Sequence, residues 1–138
     1  MKGYTRLAIA ACLLIAADVP KSDQDRLQGS WRCVSLEDEG EKAPPKLINS
    51  LKISFDKRNF QWGMPGDFDR GTFKVDSTKT PKTIDFTFSE GGHTGLGIYQ
   101  VGDDTLKLCV GDKRPKDFVS RPSTACSLWI LKRDKTGL

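Results

Sequence analysis

Across 138 residues there is a single histidine, His93. Serine–histidine or cysteine–histidine nucleophilic catalysis would have to use it, and no G-x-S-x-G elbow is present to offer a serine. The four cysteines form no CxxC pair, so with one imidazole the ligand set for structural zinc is missing. No glycine-rich phosphate loop of recognised spacing occurs either. Charge is sparse in excess: 22 basic against 18 acidic residues leave +4, too little and too scattered for a nucleic-acid surface. The longest apolar run, Leu7 to Ala17, is eleven residues. As a helix it rises about 16 Å against a bilayer core of roughly 30 Å, so no transmembrane helix is expected. The chain is therefore read as non-enzymatic, with no catalytic residue, metal ligand or cofactor.

What the N-terminus does contain is an address. Met1 to Arg6 carries two positive charges and no acid, the apolar run follows, and Asp18 ends it. That is the layout of a secretory signal, residues 1–17, with cleavage after Ala17 and export to a periplasmic or extracellular space. A competing reading takes Ile9-Ala10-Ala11-Cys12 as a lipobox, with Cys12 acylated and membrane-anchored. Against it, Leu13 to Ala17 continue the apolar run beyond the cysteine. Cleavage after Ala17 lowers the formal charge to +2, by loss of Lys2 and Arg6. It leaves Cys33, Cys109 and Cys126, an odd number in a compartment that permits disulfides. One bridge plus one thiol, or three buried thiols, are both compatible with this count.

The mature chain reads as short strands separated by turns. Residues 18–26 are a linker, with one short turn allowed at Ser22 to Gln28, and 27–135 form the domain. Leu51, Ile53 and Phe55 alternate with Lys52, Ser54 and Asp56, and Ile84, Phe86 and Phe88 with Asp85 and Thr87. Similar segments cover Ser30–Leu36, Phe60–Met64, Gly71–Asp76, Gly95–Val101, Thr105–Val110 and Ala125–Arg133. About eight strands at roughly 8–14-residue spacing make the class all-β. Mostly short connections favour an antiparallel up-and-down barrel, since closure removes exposed edges. Only Asp38–Asn49 and Gly111–Thr124 are long loops.

Gly29-Ser30-Trp31 has the G-x-W form found in lipocalins, where the tryptophan closes the barrel floor and a basic residue after the last strand stacks on it. That resemblance implies a floor of Gly29, Trp31 and Lys132 or Arg133, with Arg133 expected within about 6 Å of the ring. A longer ordered set carries a second resemblance: Leu27-Gln28-Gly29-Ser30-Trp31, Gly71-Thr72-Phe73-Lys74-Val75-Asp76, Pro81-Lys82-Thr83-Ile84-Asp85, Leu96-Gly97-Ile98-Tyr99, Asp104 to Cys109, and Arg114-Pro115-Lys116-Asp117-Phe118. Over roughly residues 25 to 135 the chain resembles a small secreted planctomycete-type domain family of lipocalin-like fold. The family is functionally uncharacterised, so it implies fold and export but no catalytic residues. Cys33 and Cys126 depart from its usual pattern.

The candidate binding residues are Phe55, Phe60, Trp62, Phe73, Phe86 and Phe88, at apolar positions of consecutive strands. Facing inward, they either fill the barrel or line a cavity of ~300 Å³ or more for an apolar ligand. Asp103-Asp104 are paired carboxylates best explained by turn chemistry; Asp67 and Asp69 point to one side of an extended stretch and could meet a cation, but calcium wants about six to eight oxygens and this run offers few. Lys113, Arg114, Lys116 and Arg121 form a basic cluster on a long loop, a solvated face or a contact for an anionic group. Hairpin pairing brings Val110 near Cys126, which makes Cys109 and Cys126 a candidate disulfide if their Cα atoms lie within ~7 Å. The leading expectation is an exported small barrel holding a small apolar or amphipathic molecule. The alternative is a filled barrel whose loops meet another protein or an envelope component. Nothing in the pattern fixes an oligomeric state.

Overall fold

The computed structural model describes residues 21–135; the apolar N-terminal segment, Cys12 and the last three residues lie outside them. The chain runs α1 (Asp23–Leu27), β1 (Gly29–Asp38), β2 (Glu41–Lys42), α2 (Pro45–Ile48), β3 (Lys52–Asp56), β4 (Asn59–Met64), β5 (Asp67–Asp76), β6 (Thr83–Phe88), β7 (Thr94–Val101), β8 (Thr105–Gly111) and β9 (Cys126–Arg133). From β3 onward each strand pairs antiparallel with the next. β1 pairs with both β3 and β9, closing eight strands into an up-and-down barrel. The two-residue β2 folds back on the end of β1 as a lip.

Period-two alternation decides which face is buried. In β6, Ile84, Phe86 and Phe88 point inward while Thr87 is exposed; in β8, Leu106, Leu108 and Val110 do the same. Removing such side chains from water stabilises the fold by about 1.5–3 kcal/mol each before conformational costs. β1 breaks the rhythm with a bulge: Cys33 pairs with Leu131 but Ser35 with Ile130. The extra residue switches the inward face from Trp31 and Cys33 to Leu36, which re-aims the strand as bulges do. At Gly71 a Cβ would run into the Thr87 carbonyl and the Phe60 ring, so only glycine lets β5 pass β6 there.

The structure refines the sequence expectations in three places. The short turn allowed at Ser22 to Gln28 is the helix Asp23–Leu27. Ser22 caps that helix by accepting from Asp25 N at 3.1 Å, and acids occupy its first turn, where the helix dipole favours them. β5 starts at Asp67, because Pro65-Gly66 is the hairpin turn itself and the strand resumes at once. The long 39–51 connection contains one helical turn, α2, with Pro45 in the first helical position, where its missing N–H is no loss. Leu47 and Ile48 of α2 pack on the core.

The floor is built around one guanidinium. Trp31 is fully buried, and its Nε1 donates to the Leu27 carbonyl at 2.8 Å. Arg133, directly opposite it on β9, lays Cζ 4.2 Å from the ring centroid. The same side chain donates to the carbonyls of Arg26 (2.6 Å), Gln28 (2.8 Å) and Asp103 (3.0 Å). It thus satisfies the open C-terminal end of α1, where carbonyls lack intrahelical partners. Gly29 has φ +107°, and a Cβ there would stand 3.2 Å from Arg133 Nη1. Lys132, the other basic candidate, is exposed.

A second tie holds α1 across the floor: Lys82 Nζ and Tyr99 Oη both donate to Asp23 Oδ2 at 2.8 Å. Burial pushes the Asp23 carboxyl up, but the hydrogen bonds from Lys82 and Tyr99 and the Lys82 charge outweigh it, leaving the group below its ordinary value. The Tyr99 phenol is raised, first by burial and then by its bond to Asp23.

Two predictions follow from the floor. Arg133→Ala strips three carbonyls of a charged donor and uncovers Trp31, and should cost about 2–4 kcal/mol in urea unfolding. Arg133→Lys should recover less than half of that, because a point donor cannot serve the same fork, and Lys132→Ala should stay within about 0.5 kcal/mol. An Arg133→Ala variant as stable as wild type would contradict this floor. For Asp23, a depressed folded pKa means its stabilisation is present above the unfolded value of about 3.9 and is lost as pH falls through the folded one. The stability gap between wild type and Asp23→Asn should therefore be constant near neutral pH and shrink below about pH 4. A gap independent of pH would contradict the ion-paired assignment.

Candidate functional site

Above the floor, the six aromatic residues singled out by alternation converge. Phe55 meets Phe73 edge-on at 4.7 Å between centroids, and Phe60 meets Phe86 at 4.9 Å and Phe88 at 5.2 Å. Trp62 packs on Phe86 at 5.2 Å and Phe88 at 5.4 Å, and stacks on Trp129 at 5.4 Å. These are contact distances for aromatic pairs, each worth about 0.5–1.5 kcal/mol beyond its burial. The six side chains expected to fill the interior or to line a ligand cavity pack against one another, and so occupy the section where a ligand would lie. Trp129 belongs with them and was missed; its alternation with Leu131 in the last strand was the available signal.

Toward the end of the barrel opposite the floor, His93 lies flat on Phe88, with centroids 4.4 Å apart and planes 10° from parallel. A cleft of about 230 Å³ opens there between Trp62, Phe88, His93, Val110 and Trp129. Asp67 and Asp69 lie on β5 with Phe68 between them. Among the described residues no group of three acids, histidines or cysteines is placed to hold a metal.

The larger feature is outside the barrel. The 112–125 connection between β8 and β9 encloses a cleft of about 580 Å³, walled by the basic run and floored in part by Cys126. Four side chains hold the connection. Arg114 Nη1 lies 2.7 Å from Asp85 Oδ1 and donates to the Gly97 carbonyl at 2.9 Å. Ser120 Oγ accepts from Gly40 N at 2.9 Å and donates to the Cys126 carbonyl at 3.0 Å. Phe118 packs on a small outer cluster of Ile98, Cys109, Cys126 and Leu128, and Lys107 Nζ sits 5.5 Å over its ring. Arg121 forks onto Asp117 at 3.0 and 3.2 Å, a solvent-exposed pair.

Of the basic cluster, then, Arg114 and Arg121 are tied within the molecule. Lys113 and Lys116 are exposed and have no ion-pair partner among the described residues. Val119, 41% exposed, is the one large hydrophobic side chain among the described residues that stands out in solvent.

The cysteines divide between the two faces. Cys33 is inside, its thiol donating to the Ser35 carbonyl at 3.3 Å. Cys109 and Cys126 are buried outside the barrel with their sulfurs 2.8 Å apart, as thiols and not as a bond. The β8–β9 pairing brings Val110 beside Cys126, with Val110 facing Ser127 and Cys126 facing Gly111. That register puts both thiols on the outer face, while Val110 turns into the core. Burial pushes the Cys109 thiol up to about 12, with the Cys126 contact adding to it.

No family model and no curated relative matches the sequence. Among solved structures, the chain is similar to a DUF4847 family protein from Bacteroides vulgatus, with a TM-score of 0.51 at 13% identity. The match covers 82% of this chain and 97% of that one. At such identity the likeness is one of fold: a small closed β-barrel. Among the described residues no helix is long and apolar enough to cross a membrane.

Proposed function

We propose that this chain is an exported, non-enzymatic interaction domain, built on a filled lipocalin-like barrel, that meets an acidic protein surface in the cell envelope through its 112–125 connection. The observation that carries this reading is the interior. Seven rings in mutual contact use the barrel section as core, and core packing leaves the outside for recognition. The connection is held in place from within by Arg114, Phe118 and Ser120, and so presents a defined shape to a partner. Lys113, Lys116 and the exposed Val119 supply charge and an apolar contact on that shape. Opposite charge on the partner would steer encounter as well as fix register.

Asp23 and Tyr99, whose proton affinities are displaced, bond to each other in the floor, where they hold α1, which is a structural use of both groups. Export is supported by the basic start and the eleven-residue apolar run, and the lipocalin-like placement by Gly29-Ser30-Trp31 with Arg133 on the ring. For an apolar ligand at the open barrel end, the cleft between Trp62, Phe88, His93 and Trp129 is about 230 Å³, smaller than the ~300 Å³ typical of ligand sites.

The test is carbodiimide cross-linking of the protein in envelope extract from its own source. Lysine–carboxylate links should map to Lys113 and Lys116, and links to the same partner from a photoreactive residue placed at Val119 should fall at least tenfold in Lys113→Glu/Lys116→Glu, with the unfolding midpoint unchanged. Links unaffected by charge reversal would overturn the surface. So would native mass spectra showing a small molecule that leaves only on denaturation.

A further inference from the structure

Two buried thiols in contact are not needed by the interaction just described, and their placement has its own logic. Cys109 lies opposite Leu128, and Cys126 opposite Gly111, so the two are diagonal neighbours on one face of the β8–β9 ladder. Diagonal partners in a flat ladder are about 7–8 Å apart, and strand twist draws one diagonal closer. Here the sulfurs meet at 2.8 Å, and besides each other the thiols touch the Val119 carbonyl, 3.8 Å from Cys109. Cys109 has no exposure, whereas Cys126 is 6% exposed and forms part of the wall of the 580 Å³ cleft. A small reagent entering that cleft reaches Cys126 first. Cys126 is also the residue on which the connection is hung, since its carbonyl accepts from Ser120 Oγ and Glu39 N. Cys33, on the opposite side of the barrel wall, is out of reach of both.

We propose that Cys109 and Cys126 form a thiol–disulfide couple that small-molecule disulfides oxidise through the cleft, stapling β8 to β9 at the root of the 112–125 connection. The Cys126 sulfur, having given up its proton, attacks one sulfur of the reagent. This forms a mixed disulfide and releases one reagent thiolate. The Cys109 thiol then loses its proton and attacks the Cys126 sulfur, forming the protein disulfide and expelling the second thiolate. The two protons end on the two released thiolates, so the reagent is reduced by two electrons and the protein is oxidised by two. The high proton affinity of buried Cys109 fits its place as the second, resolving partner, which acts once Cys126 has been engaged. The bond closes a loop that includes the whole connection, and cross-links of that span restrict the unfolded chain most effectively where native geometry already fits. The couple is independent of what the connection binds.

The experiment uses the full chain, reduced or incubated with oxidised glutathione, then alkylated in denaturant and digested with trypsin without reduction. The oxidised sample should give peptide 108–113 joined to peptide 117–132, with Cys33 alkylated. The unfolding midpoint should rise on the order of 10 °C, and Cys109→Ala and Cys126→Ala variants should show no such rise. Alkylation of both residues after oxidation would overturn the couple. The same holds for arrest as a glutathione adduct on Cys126, a link from either residue to Cys12 or Cys33, or an unchanged midpoint in the joined protein.

Discussion

The guanidinium of Arg133 is the point on which the rest of the structure depends. It sits between the last carbonyls of a five-residue helix and the face of Trp31, and does two jobs that no other side chain here could combine. An isolated helix of that length has no stability of its own. Its open carbonyls would be a liability against a closed barrel unless a planar, permanently charged fork reached several at once. By doing so Arg133 fixes α1 over the barrel end, where the Leu27 carbonyl accepts from Trp31 Nε1, and joins the first strand to the last at the seam where the barrel closes. Gly29 is the corollary, since a side chain there would crowd the guanidinium.

With that end shut, the interior had two uses open to it, a cavity or a core. Ring geometry favours the second. Phe60, Phe86, Phe88 and Trp62 each touch at least two others, and Trp129 and Phe88–His93 continue the stack toward the far end. A barrel of short strands has little volume to spare once such rings are inside. On the proposed reading, recognition is left to the outer layer. There the chain invests a fourteen-residue connection, an outer apolar cluster beneath it and several long-range bonds that hold it in shape.

Much of this could be read along the chain, and the remainder shows where one-dimensional patterning stops. β6 was legible because its alternation is uninterrupted, and the six aromatics were legible as inward-facing from their period-two positions. Whether they fill or line the interior was not, because it depends on how rings from strands far apart in sequence interlock. The bulge at Cys33/Ser35 has no local signature, and it alone decides that Leu36 and not Ser35 is buried. Helix α1 is too short to show periodicity and exists through contacts made 59, 76 and 107 residues away, by Lys82, Tyr99 and Arg133. The thiol pair was legible from the adjacency of the last two strands, whereas the contact between the sulfurs was not, because it depends on the diagonal that strand twist draws together.

The central claim is that the barrel interior is core and that recognition happens outside it. Titrating the reduced protein with a fluorescent fatty-acid analogue, while following quenching of Trp62 and Trp129, tests it most directly. The account predicts weak, non-saturating quenching that matches free tryptophan at the same concentrations. Saturable one-to-one quenching, abolished by Phe86→Trp at the centre of the ring cluster, would show that the interior admits a ligand and would contradict it.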